Sequence, residues 1–320
     1  MRKSALSIVG AGLALAIAAG PALAEYPEKP VRIMLGFAAG GGADLLARWY
    51  ADKLQLVSGG TFIVENKVGA SGNLAADATA KARPDGYTIL FTSSVAAGNP
   101  YVYKNLPFDV LKDLVPIMSF AETPFVLTVA PTNPAKSVAE LTAFLKGKNG
   151  KGTYGWATTV TLANATIYTS KAGIDVTPVG YKVTGNAVSD VTAGQIDFAF
   201  ADTIFASGQA RQGRVKLLAV TSETRTLGMP EIPSMPELGF ATGGTTPLWG
   251  VWAPTGAPQE ILDKLSKWVN EITAMPATRE FLISQGANPA PGTPGSFKRK
   301  IDEAAKSWEE VTKLAKIEPQ

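Results

Sequence analysis

The feature that most restricts how this chain can fold is a run of three glycines, Gly40–Gly42, between two regular segments. The apolar segment Val31–Leu35 precedes it. A helical pattern over Asp44–Val57 follows, with four apolar side chains on one face: Leu46, Tyr50, Leu54 and Val57. A strand that ends in glycines and continues as a helix leaves backbone N–H groups free at the positive end of the helix dipole. The pattern predicts a β–α unit whose turn binds an anion, although the glycines alone are also consistent with a merely tight connection.

Strand-like and helix-like segments alternate along the rest of the chain from Val31 onward. This alternation is typical of an α/β protein with mainly parallel sheets flanked by helices. Two passages of the chain between α/β units are predicted, near Ala121–Pro124 and Gly243–Leu248. We therefore expect two domains with a cleft between them. The first is discontinuous, with residues 25–123 plus 248–320, and the second comprises residues 124–247.

Small and polar residues cluster where the predicted strands end. In open α/β sheets, ligands bind outside the carboxyl ends of the strands. Five segments at those ends are rich in Gly, Ser, Thr or a single charged residue: 37–44, 93–94, 156–161, 180–182 and 201–203. We expect a cleft between two such sheet edges to close on a small solute.

The first 24 residues have the pattern of a secretory signal peptide. Arg2 and Lys3 give a basic start, Leu6–Ala19 is almost wholly apolar, and Ala22-Leu23-Ala24 is a small-x-small cleavage site. The alternative is an N-terminal membrane anchor, but the apolar run is shorter than the roughly 20 residues that a spanning helix needs. We expect export, cleavage and a mature chain that starts at Glu25.

The composition excludes several kinds of site. The chain has no cysteine and no histidine, so it can form no disulfide, Cys/His metal site or Ser-His-Asp triad. Without Arg2 and Lys3, 28 basic residues stand against 27 acidic ones. No basic stripe is present, so nucleic acids and anionic membranes have no electrostatic support as partners. We expect no catalytic residue, no metal and no cofactor.

Seven motifs follow one another at a characteristic spacing. The first two are Tyr26-Pro27-Glu28-Lys29-Pro30-Val31-Arg32-Ile33 and the turn Gly36–Asp44. The other five are Val64-Glu65-Asn66-Lys67, Gly69-Ala70-Ser71-Gly72-Asn73, Pro84-Asp85-Gly86-Tyr87-Thr88, Leu106-Pro107-Phe108-Asp109 and Leu218-Ala219-Val220-Thr221. Each motif alone is weakly specific, but the ordered set resembles the Bug-type solute receptors of tripartite tricarboxylate transporters.

This resemblance implies a type II-like periplasmic binding protein that acts as a monomer. Such a receptor binds a small organic carboxylate and delivers it to a membrane permease. Gly41 and Gly42 would offer backbone N–H groups, while Asp44 would orient the loop or cap its helix. By position, the resemblance and the strand ends imply thirteen ligand-binding residues: Phe37, Ala38, Gly41, Gly42, Asp44, Ser93, Ser94, Trp156, Thr158, Thr159, Tyr181, Asn186 and Asp202.

The chain departs from the family's pattern after Trp156. The family continues there with glycines, serines and a histidine, whereas this chain has Ala157–Thr161, and Leu162 stands near the histidine position. Trp156 is either a cleft wall that stacks on a flat ligand or a core side chain. Asp202 either accepts a hydrogen bond from the ligand or caps the helix that follows. Lys182 either pairs with a second carboxylate or is an exposed lysine without a role.

Two other functions remain open on the sequence. The liganded form could report the solute to a membrane two-component kinase, which would require the same cleft. An enzyme acting on an organic acid would have to use Asp44, Asp202 or Lys182, because the usual general base, histidine, is missing.

Overall fold

The computed structural model describes residues 26–240, 245–314 and 319, and within them eleven strands form two sheets. The predicted signal peptide lies outside the described residues, and the second predicted passage between the domains lies partly outside them. The strands are β1 (Val31–Leu35), β2 (Phe62–Asn66), β3 (Thr88–Ser93), β4 (Leu114–Glu122), β5 (Phe125–Val129), β6 (Gly152–Trp156), β7 (Val176–Gly180), β8 (Phe198–Asp202), β9 (Lys216–Val220), β10 (Leu248–Pro254) and β11 (Asn288–Pro289).

Nine α-helices lie within the same residues and pack on the sheets. They are α1 (Gly42–Ser58), α2 (Asn73–Ala80), α3 (Val138–Gly147), α4 (Thr159–Ala172), α5 (Thr184–Thr192), α6 (Thr203–Arg211), α7 (Gln259–Ala274), α8 (Pro276–Ser284) and α9 (Pro294–Leu314). None of these described helices combines the length and the apolar character that crossing a membrane requires.

The expected α/β class with two domains is confirmed, but both sheets are mixed rather than mainly parallel. The first sheet has the strand order β11-β4-β10-β3-β1-β2, and the second has the order β7-β6-β8-β5-β9. Parallel pairs form between β1 and its neighbours and between β6 and its neighbours, whereas β10 and β5 run antiparallel to theirs. A parallel pair needs a long crossover, usually a helix. The chain passes between the sheets next to three strands: β4, β5 and β10. No crossover helix leads through the described parts of these passages, and the three strands pair antiparallel with their neighbours.

Helix α1 forms where the glycine turn predicts it. Leu46, Tyr50 and Leu54 are fully buried on its inner face, and Val57 packs beside them. Gly41 is the N-cap residue, with an extended backbone and no side chain to cap the first turn. By contrast, α3, α4 and α6 each begin with a side chain that accepts a hydrogen bond from the first turn. Helix α1 therefore starts with uncapped N–H groups.

One hydrogen bond holds the chain where it passes between the sheets, and one helix packs on both domains. Trp249 at the start of β10 donates a hydrogen bond from Nε1 to Oγ1 of Thr123, which follows β4, at 2.6 Å. Helix α9 contacts the cores of both domains, because Phe297 packs in a cluster with Trp252 of the first sheet and Trp308 packs in the cluster that holds the second sheet.

Candidate functional site

A cavity of about 610 Å³ lies between the two sheets. The loops that follow β1 and β3 line it from the first domain, and those that follow β6, β7 and β8 line it from the second. These loops stand at the carboxyl ends of strands, where open α/β sheets bind their ligands. The volume falls within the range of about 300–1,000 Å³ that is usual for small-molecule sites.

The structure brings most of the predicted ligand-binding residues to this cavity. Ten of them line it: Phe37, Ala38, Gly41, Gly42, Ser93, Trp156, Thr158, Thr159, Tyr181 and Asp202. Asp44, Ser94 and Asn186 do not line it, for reasons that differ from one residue to the next. The contact of each lining residue with a solute remains a prediction.

The glycine turn opens into the cavity with all three of its glycines. Gly40 has a left-handed φ of 79°, which residues with a side chain rarely adopt. The N–H groups of Gly42 and Ala43, in the first turn of α1, have no intrahelical acceptor and no side-chain cap. A Cβ built on Gly41 would meet nothing nearer than the carbonyl oxygen of Ala38, at 3.4 Å. The turn thus combines free donors with open space at the positive end of a helix.

Asp44 holds this turn in place instead of lining the cavity. Its Oδ2 accepts hydrogen bonds from Gly40 N at 2.9 Å and Arg48 Nε at 2.8 Å, and its Oδ1 accepts one from Asn66 Nδ2 at 2.9 Å. Burial raises the pKa of Asp44, but the hydrogen bonds from Arg48, Gly40 and Asn66 outweigh burial and hold the pKa below its ordinary value. Both carboxylate oxygens accept hydrogen bonds within the fold, so Asp44 orients the loop, one of the roles that the sequence allowed, and it does not line the cavity.

The two serines after β3 have different surroundings. Ser93 is 5% exposed and lines the cavity, and its hydroxyl has no hydrogen-bond partner among the described residues. Ser94 lies outside the cavity, because its Oγ accepts a hydrogen bond from Leu248 N at 3.2 Å and joins the end of β3 to the start of β10. The hydroxyl of Ser93 is thus available to a ligand, whereas that of Ser94 is used within the fold.

The threonines at the start of α4 divide in a similar way. Thr158 is the N-cap residue, and its Oγ1 accepts a hydrogen bond from Thr161 N at 3.3 Å. Thr161 Oγ1 in return accepts one from Thr158 N at 3.0 Å, which completes a capping box. Thr159 is 8% exposed, lines the cavity, and has no hydrogen-bond partner for its hydroxyl within residues 26–240 and 245–314. Of these two threonines, Thr159 therefore keeps the free hydroxyl.

The turn after β7 presents an aromatic ring and a cation. Tyr181 lines the cavity, and its hydroxyl donates a hydrogen bond to Asp190 Oδ2 at 2.6 Å. Burial together with this interaction raises the pKa of Tyr181 to about 12. Lys182 lines the cavity and is exposed. Asn186 points away from the cavity into solvent, since the buried face of α5 is formed by other residues of the helix.

Asp202 caps α6 and also faces the first domain. Its Oδ1 accepts a hydrogen bond from Phe205 N at 2.8 Å, so Asp202 has the capping role that was one of its two alternatives, and its contact with a ligand stays a prediction. A Cβ built on Gly42 would overlap this Oδ1 and lie 2.9 Å from Ile204 Cβ, so α6 packs directly against the start of α1. Burial raises the pKa of Asp202, although hydrogen bonds from backbone N–H groups oppose the rise. The same carboxyl group lines the cavity and is in place to accept a donor from a ligand.

One segment that lines the cavity, residues 69–71, belongs to the fourth of the seven motifs, but the sequence does not predict it as part of the site. Gly69, Ala70 and Ser71 line the cavity, and both Ala70 and Ser71 have left-handed φ values, 46° and 52°. Such values are rare for residues with a side chain and concentrate at functional sites. Tyr103, also unpredicted, donates its hydroxyl proton to Ser71 Oγ at 2.9 Å. The small residues of the motif were the available signal, but their conformation cannot be deduced from composition.

Two α/β domains that enclose a cavity of this size at their strand ends define a solute-binding protein of the periplasmic type. The chain belongs to the receptors of tripartite tricarboxylate transporters, because the model of the family described as tripartite tricarboxylate transporter family receptor matches residues 46–316. The resemblance deduced from the motifs is thereby confirmed.

Individual relatives show the same similarity over almost the whole chain. Protein BugT of Bordetella pertussis is 31% identical over 313 residues, which are 96% of each chain. A protein of R. palustris solved with adipate has a TM-score of 0.87 and 28% identity, covering 92% of this chain and 100% of that one. MatC of Rhodopseudomonas palustris, solved with bound malate, has a TM-score of 0.80 and 26% identity, covering 89% and 99%.

Proposed function

We propose that this protein is an extracytoplasmic receptor that captures a small organic carboxylate in the cavity between its domains. It then delivers the solute to the membrane permease of a tripartite tricarboxylate transporter. The observation that carries the proposal is the uncapped start of α1, which opens into the cavity. Backbone N–H groups at the positive end of a helix bind carboxylates without needing a cationic side chain.

Hydroxyl groups from both domains support the same assignment. Ser93 and Thr159 stand on opposite sides of the cavity, and the hydroxyl of each is without a hydrogen-bond partner in the part of the chain that the structure describes. Each hydroxyl belongs to a residue that lines the cavity and can donate to or accept from a polar ligand or an ordered water there. The relatives solved with adipate and with malate each hold a carboxylic acid.

The geometry also favours a receptor that closes on its solute. On this proposal residues 25–123 plus 248–320 form one domain, residues 124–247 form the other, and the two move about the passages at Thr123 and near Trp249. The ten lining residues predicted from the sequence would contact the solute, with Gly41 and Gly42 facing its carboxylate. The protein would act as a periplasmic monomer after removal of residues 1–24, and it would release the solute unchanged, without catalysis.

Thermal unfolding of the purified protein with a panel of acids tests this proposal. Adipate, malate, citrate and benzoate are each added, with adipamide as a control that has the length of adipate without its charges. A ligand at about 100 times its dissociation constant stabilises the folded state by roughly 2.7 kcal/mol. We expect at least one acid, but not adipamide, to raise the melting temperature, and a panel of carboxylates without any effect would refute the proposal.

Delivery to a permease is tested separately in cells. Deletion of the coding sequence should abolish uptake of the bound acid, and re-expression of the protein should restore it. Unchanged uptake in the deletion strain would leave binding intact as a function but would remove the assignment to transport.

A further inference from the structure

Aromatic side chains from both domains border the cavity. They come from the loops after β1, β3, β6 and β7, from the first turn of α6 and from the passages between the sheets: Phe37, Tyr103, Phe125, Trp156, Tyr181, Phe205 and Trp249. Phe37 meets Trp249 edge-on, with ring centroids 5.5 Å apart. The charged side chains among the described lining residues are Lys182 and Asp202. This wall favours a solute with a large apolar body over a compact polyacid, because buried charges must be paired.

Trp156 is the aromatic residue best placed to contact such a body. It ends β6 opposite Gly180 of β7, and a Cβ built on Gly180 would lie 3.2 Å from Cζ2 of the indole. The indole therefore occupies the space that a side chain at Gly180 would fill, and the backbone supports it there. Trp156 is only half-buried and also lines the cavity. A supported, partly open indole is suited to stacking on a flat ring.

Trp156 and the start of α1 face the same cavity from different domains. Trp156 lines it at the end of β6, and Gly40, Gly41 and Gly42 line it from the first domain. The cavity of about 610 Å³ is within the range that small-molecule sites occupy. It therefore has room for an aromatic ring together with its carboxylate.

We propose that the solute is an aromatic carboxylic acid whose ring stacks on Trp156 while its carboxylate meets the uncapped N–H groups of α1. Ser93 also lines the cavity, and its hydroxyl, which has no hydrogen-bond partner among the described residues, is a second donor available to that carboxylate. This assignment rests on the proposed function and specifies its substrate class. It is chain-specific, because Trp156 begins the segment in which this sequence departs from the family's pattern.

Titration calorimetry with matched pairs of acids tests the inference. Benzoate is compared with cyclohexanecarboxylate, and phenylacetate with cyclohexylacetate, because each pair has the same carbon count and charge but differs in flatness. Adipate and malate serve as aliphatic references. We expect the aromatic member of at least one pair to bind about tenfold more tightly than its saturated partner, which corresponds to one favourable aromatic pair.

Variants at Trp156 assign the preference to the indole. Trp156→Leu should lower the affinity for the aromatic acid about tenfold more than the affinity for its saturated partner, while Trp156→Phe should retain most of the preference. Equal binding within both pairs, or adipate or malate binding more tightly than every aromatic acid, would overturn the inference and leave the proposed function standing. If none of the six acids binds measurably, the result would instead count against the proposed function itself. If Trp156→Leu does not fold, the matched pairs measured on the unaltered protein still show whether it prefers aromatic acids.

Discussion

Replacement of Gly41 by aspartate places a carboxylate where we propose that the solute's carboxylate binds. Gly41 is the N-cap residue of α1, with φ −81° and ψ 171°, which any residue adopts. A Cβ at this position meets nothing nearer than Ala38 O at 3.4 Å. The new side chain therefore fits without strain, unlike a substitution at Gly40, where φ is 79°.

Two effects of Gly41→Asp can be estimated. An aspartate at the N-cap accepts a hydrogen bond from the open first turn, which should stabilise the unliganded protein by only about 0.3 kcal/mol, because glycine is itself a tolerated N-cap residue. A solute carboxylate about 4 Å from the new one would be repelled by about 4 kcal/mol at an effective dielectric constant of about 20. Since 1.4 kcal/mol is a tenfold change in affinity, binding should weaken by roughly a thousandfold.

Titration calorimetry with an acid found in the ligand panel measures the loss, with two controls at the same position. Gly41→Ala adds only a Cβ and should bind within about threefold of the unaltered protein. Gly41→Asn has the shape of the aspartate variant without its charge. Its side chain can occupy the N–H groups of the first turn but does not repel the solute's carboxylate, so we expect an affinity between those of the alanine and aspartate variants. Affinity of the aspartate variant within tenfold of the alanine variant would refute the placement of the carboxylate at α1.

Three further substitutions follow from the contacts. Gly42→Ala should hold the domains apart, because its Cβ overlaps Asp202 Oδ1. We expect it to bind the acid more weakly than Gly41→Ala does and to have a larger radius of gyration by X-ray scattering. Unchanged binding would show that the contact between Gly42 and Asp202 is dispensable. Asp44→Asn should lower the free energy of unfolding in urea at pH 7 by about 1.5–3 kcal/mol, since it weakens charge-assisted hydrogen bonds. Folding depresses the pKa of Asp44 below 3.8. Asp44 therefore adds to the free energy of unfolding above pH 3.8, and this stabilisation is lost as the pH falls through the pKa of the folded state. A difference in unfolding free energy between Asp44→Asn and the unaltered protein that persists in strong acid would contradict this. Tyr181→Phe should bind the solute within about twofold, because the hydroxyl is engaged by Asp190; a tenfold loss of affinity would mean that the hydroxyl contacts the solute.

The local part of the site could be predicted because it depends on neighbouring residues. The apolar segment Val31–Leu35, the glycines and the buried face of α1 follow from periodicity and from the turn chemistry of glycine, and the structure has them where the sequence places them. Ten of the thirteen predicted positions reach the cavity for the same reason, since the ends of parallel strands meet at one edge of a sheet.

Two pairs of identical residues show what prediction from neighbouring residues cannot distinguish. Asp44 and Asp202 both stand at helix starts, yet Asp44 accepts hydrogen bonds from its own turn while Asp202 lines the cavity. Ser93 and Ser94 are neighbours, yet only Ser93 keeps a free hydroxyl, because Ser94 bonds to the start of β10. The contacts that separate the members of each pair come from distant parts of the chain: Asn66 bonds to Asp44, Gly42 meets Asp202 and Leu248 bonds to Ser94. No local pattern therefore distinguishes the two members of either pair.

By itself, the sequence determined the alternation of strands and helices, the glycine turn before α1 and the family, because these depend on residues close together along the chain. Tertiary structure alone decided that the sheets are mixed, that Asp202 packs against Gly42, and that an indole supported by Gly180 borders the cavity. The physical reason is that burial and hydrogen bonding are settled by which strands pair and how two domains meet. The glycine turn marks where an anion can bind, and the opposite domain, with Trp156, determines what the rest of the solute must be.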